Sequence, residues 1–194
     1  MRRWSLIGNR AVADIWLVRH GEAAAQFGEH IDPGLSPLGH EQARAAERLL
    51  AAVVPASASL LSSPKRRALE TGAPLARLRQ QQLVTDPRFI ELPSPGALDE
   101  RHAWIQSVLK ATWSELPSTV AAWQSHIFDA LAACRGPTVI FTHFLVINSV
   151  ASKISSDDTV LQCMPSNGSV HHLSVSGGQW AWVSRGVMLE SIVN

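Results

Sequence analysis

Four side chains in this sequence are of the types that bind and transfer a phosphoryl group. Arg19 and His20 directly follow one apolar run, and His143 follows another. Arg67 lies in a basic segment between them. Guanidinium groups grip phosphate oxygens through paired hydrogen bonds, and a neutral imidazole can attack phosphorus and form a covalent intermediate. If the fold brings these residues together, they predict a phosphate site in which His20 is the nucleophile.

A departing alkoxide also needs a proton. A carboxyl group that burial and neighbouring negative charge keep protonated can supply it, and Glu91 is the candidate. Each of these residues, taken alone, has a simpler explanation: a charged turn around His20, a satisfied interior histidine at His143, or a solvated helix residue at Arg67. Glu22 is expected to serve the structure.

The elements around these residues place them at the ends of strands. Residues 15–18 form a short apolar run that predicts a buried strand, and Ser59–Ser62, residues 83–84 and Thr138–Thr142 predict three more. Val170–Ser176 and Gln179–Ser184 predict a hairpin that turns at Gly177-Gly178. In open α/β sheets, ligands bind beyond the carboxyl ends of the strands, and we expect Arg19, His20, Arg67 and His143 at or just beyond such ends.

Helix signals alternate with these strands. Ser36-Pro37 predicts an N-cap and a helix through Val53, and Ser63-Pro64 repeats that signal before the helix that carries Arg67. The pattern predicts further helices from Asp99, after Pro117 and at residues 145–150. Two of them have apolar faces, listed here: Ile105, Val108, Leu109 and Trp113 on the first, and Val120, Trp123, Ile127 and Leu131 on the second.

This alternation predicts a three-layer α/β/α sandwich with a mainly parallel sheet. The length of 194 residues suits one domain over residues 1–194, with a small helical covering segment around 93–116. Trp104 and Trp113 of that segment can stack on a substrate ring, but packing in a helix interface is the favoured interpretation.

Composition excludes several classes of partner. A formal net charge of +1 gives no field that would gather nucleic acid or a membrane surface, and no stretch approaches the ~20 apolar residues of a membrane span. The two cysteines fit neither a disulfide framework nor a zinc site, so we expect a cytoplasmic protein. Arg10 and Asp14 interrupt the first residues before a long apolar run develops, so we expect no targeting segment. His171-His172 would point to opposite sides of a strand, so we expect no metal and no cofactor. The oligomeric state stays open.

Several motifs resemble the histidine phosphatase superfamily, which includes cofactor-dependent phosphoglycerate mutases. Leu17-Val18-Arg19-His20-Gly21-Glu22-Ala23 is similar to the family's RHG signature, and Leu35-Ser36-Pro37-Leu38-Gly39 with Gln42-Ala43 to the segment that follows it. Ser62-Ser63-Pro64-Lys65-Arg66-Arg67-Ala68-Leu69-Glu70-Thr71 resembles the second arginine motif, Thr142-His143 the second histidine, and residues 165–170 a late loop. The resemblance covers most of the chain, in order.

The resemblance implies a role for each matched residue. His20 would be the nucleophile, Arg19, Arg67 and His143 would hold the phosphoryl group, and Glu91 would donate the proton. Arg67, and not Arg66, has the spacing of the phosphate arginine. Gln26 stands where some members carry a phosphate-binding asparagine, and Ala23 where many carry a hydroxyl residue. The glycine and aromatic residues that often follow the glutamate are replaced by Leu92-Pro93-Ser94-Pro95.

The expected activity is therefore that of a metal-independent phosphatase, a phosphoric monoester hydrolase that acts on a small phosphorylated substrate or a phosphoprotein. A phosphoglycerate-type mutase is an alternative, but the resembling mutases have longer chains with more covering structure. A phosphohistidine protein phosphatase is another, although a phosphoramidate needs less acid help than Glu91 would give. A catalytically silent phosphate-binding module is the non-enzyme alternative, which loss of His20 would have favoured.

Overall fold

A computed structural model describes residues 12–25, 30–94, 96–97 and 100–189 of the chain. Its centre is a six-stranded sheet with the strand order β3-β2-β4-β1-β5-β6. The strands are β1 (Val12–Arg19), β2 (Ser59–Ser62), β3 (Val84–Thr85), β4 (Thr138–Thr142), β5 (Val170–Ser176) and β6 (Gln179–Ser184). Strands β1 to β4 pair in parallel, and the β5–β6 hairpin joins β1 antiparallel. The sheet is therefore mainly parallel, as expected.

Helices cover both faces of this sheet. They are α1 (Pro37–Val53), α2 (Arg66–Arg79), α3 (Arg101–Leu109), α4 (Ser118–Ala132) and α5 (Phe144–Ser155), with short 3-10 turns at Pro87–Phe89 and Trp113–Glu115. Along β1, Trp16 and Val18 pack with the buried residues of α1 and α2, whereas Ile15 and Leu17 pack with those of α4 and α5. The alternation of a strand thus builds one core on each side, and the three-layer α/β/α prediction is confirmed.

The two serine-proline signals have different outcomes. Ser36 caps α1 as predicted, because its hydroxyl accepts a hydrogen bond from the Gly39 amide at 3.0 Å and Pro37 is the first helical residue. Ser63 does not cap α2, which begins at Arg66 after Lys65. That prediction was wrong, because the Ser63 hydroxyl bonds the ring of His143 and accepts only a long bond, of 3.3 Å, from the Lys65 amide.

The predicted helix from Asp99 is shorter than the pattern indicated. Asp99 lies outside the described residues, and α3 ends at Leu109, so that Trp113 falls in the following 3-10 turn rather than on the same helix. Trp113 is buried and stacks on Trp123 of α4 with ring centroids 6.1 Å apart. For Trp113, packing between elements is therefore confirmed over stacking on a substrate.

The hairpin turns as the sequence predicts. Gly177 and Gly178 have φ values of 59° and 84°, a left-handed conformation that glycine adopts without a steric penalty. Among the helices that the structure describes, none has the length and apolar character needed to cross a membrane.

Candidate active site

The carboxyl ends of β1 and β4 bring the two candidate histidines together. Arg19 pairs with Thr142 in the parallel register, so His20 and His143 each follow directly beyond that pair. The His20 amide donates to the Thr142 carbonyl at 3.0 Å, and the two imidazole rings lie with centroids 5.2 Å apart. The edge of the sheet thus collects residues that are more than a hundred positions apart in sequence.

Two contacts define the protonation of His20. Its Nδ1 lies 2.7 Å from the Gly21 carbonyl, which can only accept, so Nδ1 carries the proton. Its Nε2 accepts a hydrogen bond from Arg67 Nε at 3.1 Å. Burial, with the nearby charges of Arg67 and Arg19, lowers the pKa of His20 well below its usual value. The imidazole is therefore neutral near pH 7, with its lone pair on Nε2.

Arg66 and Arg67 point in different directions from the start of α2. The Arg67 side chain is only 12% exposed and contacts His20, whereas that of Arg66 is 68% exposed and pairs with Glu70 at 2.7 Å. Burial lowers the pKa of the Arg67 guanidinium, but an arginine starts from so high a value that it stays charged near pH 7. Of the two arginines, only Arg67 reaches the histidines.

Two contacts hold the Arg19 guanidinium in place, and neither uses its Nε–H. Its Nη1 donates to the Pro165 carbonyl at 2.6 Å, and the guanidinium lies over the Phe144 ring, 5.1 Å from the centroid. Its Nε is buried and has no hydrogen-bond partner among the described residues. Because a buried unpaired donor is costly, this N–H is available to a further acceptor.

His143 is likewise held through one of its ring nitrogens. The residue is fully buried, its Nε2 lies 2.7 Å from the Ser63 hydroxyl, and its Nδ1 has no hydrogen-bond partner in the part of the chain that the structure describes. Burial and the proximity of His20 and Arg67 lower the pKa of His143 well below its usual value. The site thus contains a neutral His143 beside two cationic arginines.

Hydrogen bonds to the backbone carbonyls of the two preceding residues hold Glu91 at the same site. Thr142 Oγ1 donates to the Phe89 carbonyl at 2.9 Å, and the Trp123 indole donates to the Ile90 carbonyl at 3.0 Å. The Glu91 carboxyl then accepts backbone N–H bonds from Leu92 and, at the start of α5, from Leu145.

The environment of Glu91 favours its protonated form. Burial raises its pKa and outweighs the opposing effects of the two N–H bonds and of the Arg67 and Arg19 charges. Those charge interactions place the carboxyl near both arginines. A carboxyl group of raised pKa beside an anion site is suited to donating a proton.

A loop of residues 165–169 braces this assembly from the other side. Asn167 Nδ2 donates to the His20 carbonyl at 3.1 Å, the Gly168 amide to the Arg19 carbonyl at 3.0 Å, and the Arg19 amide to the Ser169 carbonyl at 3.0 Å. The family resemblance in the sequence included this loop, within residues 165–170, but it predicted no role for Asn167. Its contact joins residues 147 positions apart, which local patterns do not reveal.

Glu22 and the glycines around it serve packing. The Glu22 carboxylate accepts from the Ser36 hydroxyl at 2.6 Å and so supports the cap of α1. A Cβ on Gly21 would lie 2.5 Å from the Gly39 carbonyl oxygen, and one on Gly39 would lie 2.1 Å from that of Glu22, so neither position tolerates a side chain without movement. Gln26, the remaining candidate for phosphate binding, lies outside the described residues.

The adjacent histidines of β5 do not form a metal site. His171 Nε2 bonds Ser169, whereas His172 stacks on Trp16 and pairs with Asp14 at 2.8 Å. Each ring is thus engaged on its own side of the strand. Within the described ranges, no group of three or more potential ligands is placed to hold a metal ion.

Comparison with known proteins agrees with this geometry. The family model described as "Histidine phosphatase superfamily (branch 1)" matches residues 15–187. The fold is similar to a mycobacterial glucosyl-3-phosphoglycerate phosphatase, with 22% identity, coverage of 90% of this chain and 99% of that one, and a TM-score of 0.69. It is also similar to YhfR of Bacillus stearothermophilus, with 21% identity, coverage of 88% and 95%, and a TM-score of 0.70. No curated protein has significant sequence similarity to the chain.

Proposed function

The chain belongs to branch 1 of the histidine phosphatase superfamily, and from this premise we propose that it hydrolyses phosphomonoesters through a phosphohistidine formed on His20. The observation that carries the proposal is the pair of contacts on the His20 ring. Nδ1 donates to the Gly21 carbonyl, and Nε2 carries the lone pair, which accepts from Arg67 Nε and is released for attack when Arg67 donates to the phosphoryl group instead. A neutral imidazole oriented in this way is an attacking group that needs no separate base.

Arg19, Arg67 and His143 hold the phosphoryl group in this proposal. The transferring group spreads negative charge over its equatorial oxygens, and donors fixed around it supply most of the catalysis. Arg19 Nε and His143 Nδ1 are among the buried side-chain nitrogens that have no hydrogen-bond partner among the described residues, and this supports the assignment. Gln26 is a further candidate ligand by resemblance alone.

Glu91 exchanges the proton in both steps. In the first, His20 Nε2 bonds to phosphorus, the ester P–O bond breaks, and the Glu91 carboxyl protonates the departing alkoxide. In the second, the Glu91 carboxylate takes a proton from water, the resulting hydroxide bonds to phosphorus, and the N–P bond breaks to release phosphate and neutral His20. The raised pKa of Glu91 supports its role as the acid.

The substrate is a small phosphorylated molecule or a phosphoprotein, and no metal ion or other cofactor is required, because every charge stabiliser is a side chain. The mycobacterial glucosyl-3-phosphoglycerate phosphatase has the same fold. At 22% identity, this similarity does not indicate that the two proteins share a substrate. A mutase would have to keep its phosphorylated product for re-transfer, and a silent module would bind phosphate without turnover.

Hydrolysis of p-nitrophenyl phosphate in the presence of EDTA tests the proposal. We expect wild type and His126→Asn, a control at an exposed histidine of α4, to release phosphate at equal rates that EDTA does not change, and His20→Asn to release none. Metal-dependent turnover, or activity that survives in His20→Asn, would contradict the mechanism. Binding of phosphate by wild type without turnover of this ester, phosphohistidine or 3-phosphoglycerate would indicate the silent module.

A further inference from the structure

Ser63 is a fully buried side chain to which the chemistry above gives no part. Its hydroxyl lies 2.7 Å from His143 Nε2 and accepts a hydrogen bond from the Lys65 amide at 3.3 Å. The neighbouring Ser62 is equally buried, but its hydroxyl donates to the Ser63 carbonyl at 2.8 Å. Two adjacent serines therefore differ in whether they contact the histidine.

Hydrogen-bond counting determines the direction of the Ser63–His143 bond. A hydroxyl donates one hydrogen and accepts up to two. If His143 Nε2 carried the proton, the Ser63 oxygen would accept from both Nε2 and the Lys65 amide, and its own hydrogen would have no acceptor among the bonds of the described residues. If Ser63 donates to Nε2, the hydroxyl and Nε2 are both satisfied, and only the Nδ1–H of His143 is left without a partner among the described residues. The second arrangement is favoured, because it leaves one buried polar group unpaired and the first leaves two, the Ser63 hydroxyl hydrogen and the Nδ1 lone pair.

The direction of the Ser63–His143 bond determines whether the other ring nitrogen of His143, Nδ1, carries a proton. A neutral imidazole whose Nε2 accepts must carry its proton on Nδ1, and the Nδ1 of His143 is buried without a partner among the residues that the structure describes. With the opposite tautomer, a bare lone pair would occupy that buried position and would repel a bound anion. The tautomer therefore decides whether His143 attracts or repels phosphate.

We propose that Ser63 is a positioning residue that donates to His143 Nε2 and thereby holds the Nδ1–H of a neutral His143 as a donor to the substrate's phosphoryl oxygens. The inference rests on the proposed function for the identity of the guest. It adds a residue that acts through His143 rather than on the substrate itself. The low pKa of His143 is consistent with a donor that works without a positive charge.

The tautomer can be measured directly by NMR. Two-bond 1H–15N correlation spectra of the 15N-histidine-labelled protein near pH 7, with His143→Gln to assign the ring, distinguish a protonated from an unprotonated nitrogen. We expect wild type and Ser62→Ala to show His143 protonated on Nδ1, and Ser63→Ala to lose that preference. Protonation on Nε2 in wild type would overturn the inference, even if Ser63→Ala failed to fold.

Phosphate binding and turnover complete the test. Titration with inorganic phosphate should show affinity lowered on the order of tenfold in Ser63→Ala, as for a lost bond to a charged group, and unchanged in Ser62→Ala. Ser63→Thr, which keeps the hydroxyl, should retain the Nδ1 proton and the affinity. Equal phosphate affinity in wild type and folded Ser63→Ala would overturn the role.

The two proposals fail separately. If wild type does not turn over p-nitrophenyl phosphate but has the Nδ1–H tautomer and the Ser63-dependent affinity, the proposed function fails and the role of Ser63 stands. If it turns over the ester with His143 protonated on Nε2, only the role of Ser63 fails.

Discussion

His171 makes the stability of this protein depend on pH in a calculable way. The residue is fully buried in β5, its Nδ1 accepts from the Gly186 amide at 3.1 Å, and its Nε2 therefore donates to the Ser169 hydroxyl at 2.8 Å. Burial lowers the pKa of His171 to about 4, and the Arg185 charge adds to the effect. The His171 ring thus links β5 and the segment after β6 to the loop of residues 165–169, which contacts Arg19.

The sign and size follow from proton linkage. Since the pKa is about 4 in the folded state and about 6.5 when unfolded, the unfolded chain binds more protons between these values. The stabilisation is present above about pH 6.5 and is lost as the pH falls toward 4. One pKa unit corresponds to about 1.4 kcal/mol, so this group alone should remove about 2 kcal/mol from the free energy of unfolding between pH 7 and pH 5.

Urea unfolding followed by tryptophan fluorescence at both pH values measures this contribution. His171→Gln removes the titrating ring, so its free energy of unfolding should fall by about 2 kcal/mol less than that of wild type over the same interval. His20, His143 and Glu91 titrate in both proteins and cancel in the comparison. His126→Gln makes the same chemical change at an exposed position and should follow wild type. Equal pH-dependent losses in wild type and folded His171→Gln would refute the reasoning.

Three further substitutions test individual contacts. Arg67→Lys should lower kcat/KM for p-nitrophenyl phosphate on the order of a hundredfold, because an ammonium cannot form the paired hydrogen bonds with which a guanidinium holds the phosphoryl group. Arg66→Lys should change it less than about twofold, and equal effects would contradict the assignment. Glu91→Gln should slow hydrolysis of an alkyl phosphate far more than that of p-nitrophenyl phosphate, whose leaving group needs little protonation; equal slowing would argue against Glu91 as the acid. Gly39→Ala should lower the free energy of unfolding in urea by about 3 kcal/mol, because its Cβ would lie 2.1 Å from the Glu22 carbonyl oxygen. A loss below about 0.5 kcal/mol would show that the backbone adjusts freely.

Local sequence signals predicted most of the fold and brought the main candidates to one edge of the sheet. Apolar runs located β1 and β4, so the neighbouring positions of His20 and His143 followed from the rule for parallel strands. The cap at Ser36 was equally readable, because a helix cap depends on residues within one turn.

Contacts between segments that are distant along the chain could not be predicted from the sequence. Ser63 had the pattern of a helix cap, but its hydroxyl bonds His143, 80 positions away, and α2 begins only at Arg66. Asn167 and Trp123 likewise reach backbone carbonyls far along the chain. Such partners depend on how the elements pack, and neither periodicity nor composition encodes that packing locally.

The most direct test of the central claim is to identify the phosphorylated atom after acid-free denaturing quench of the enzyme mixed with p-nitrophenyl phosphate. Mass spectrometry of the peptide containing His20, with 31P NMR of the denatured protein, should show phosphate on His20 Nε2, because Nδ1 is engaged by the Gly21 carbonyl. The signal should be lost in His20→Asn and kept in His126→Asn. Phosphate on another residue, on His20 Nδ1, or on no residue of an enzyme trapped during turnover would contradict the account.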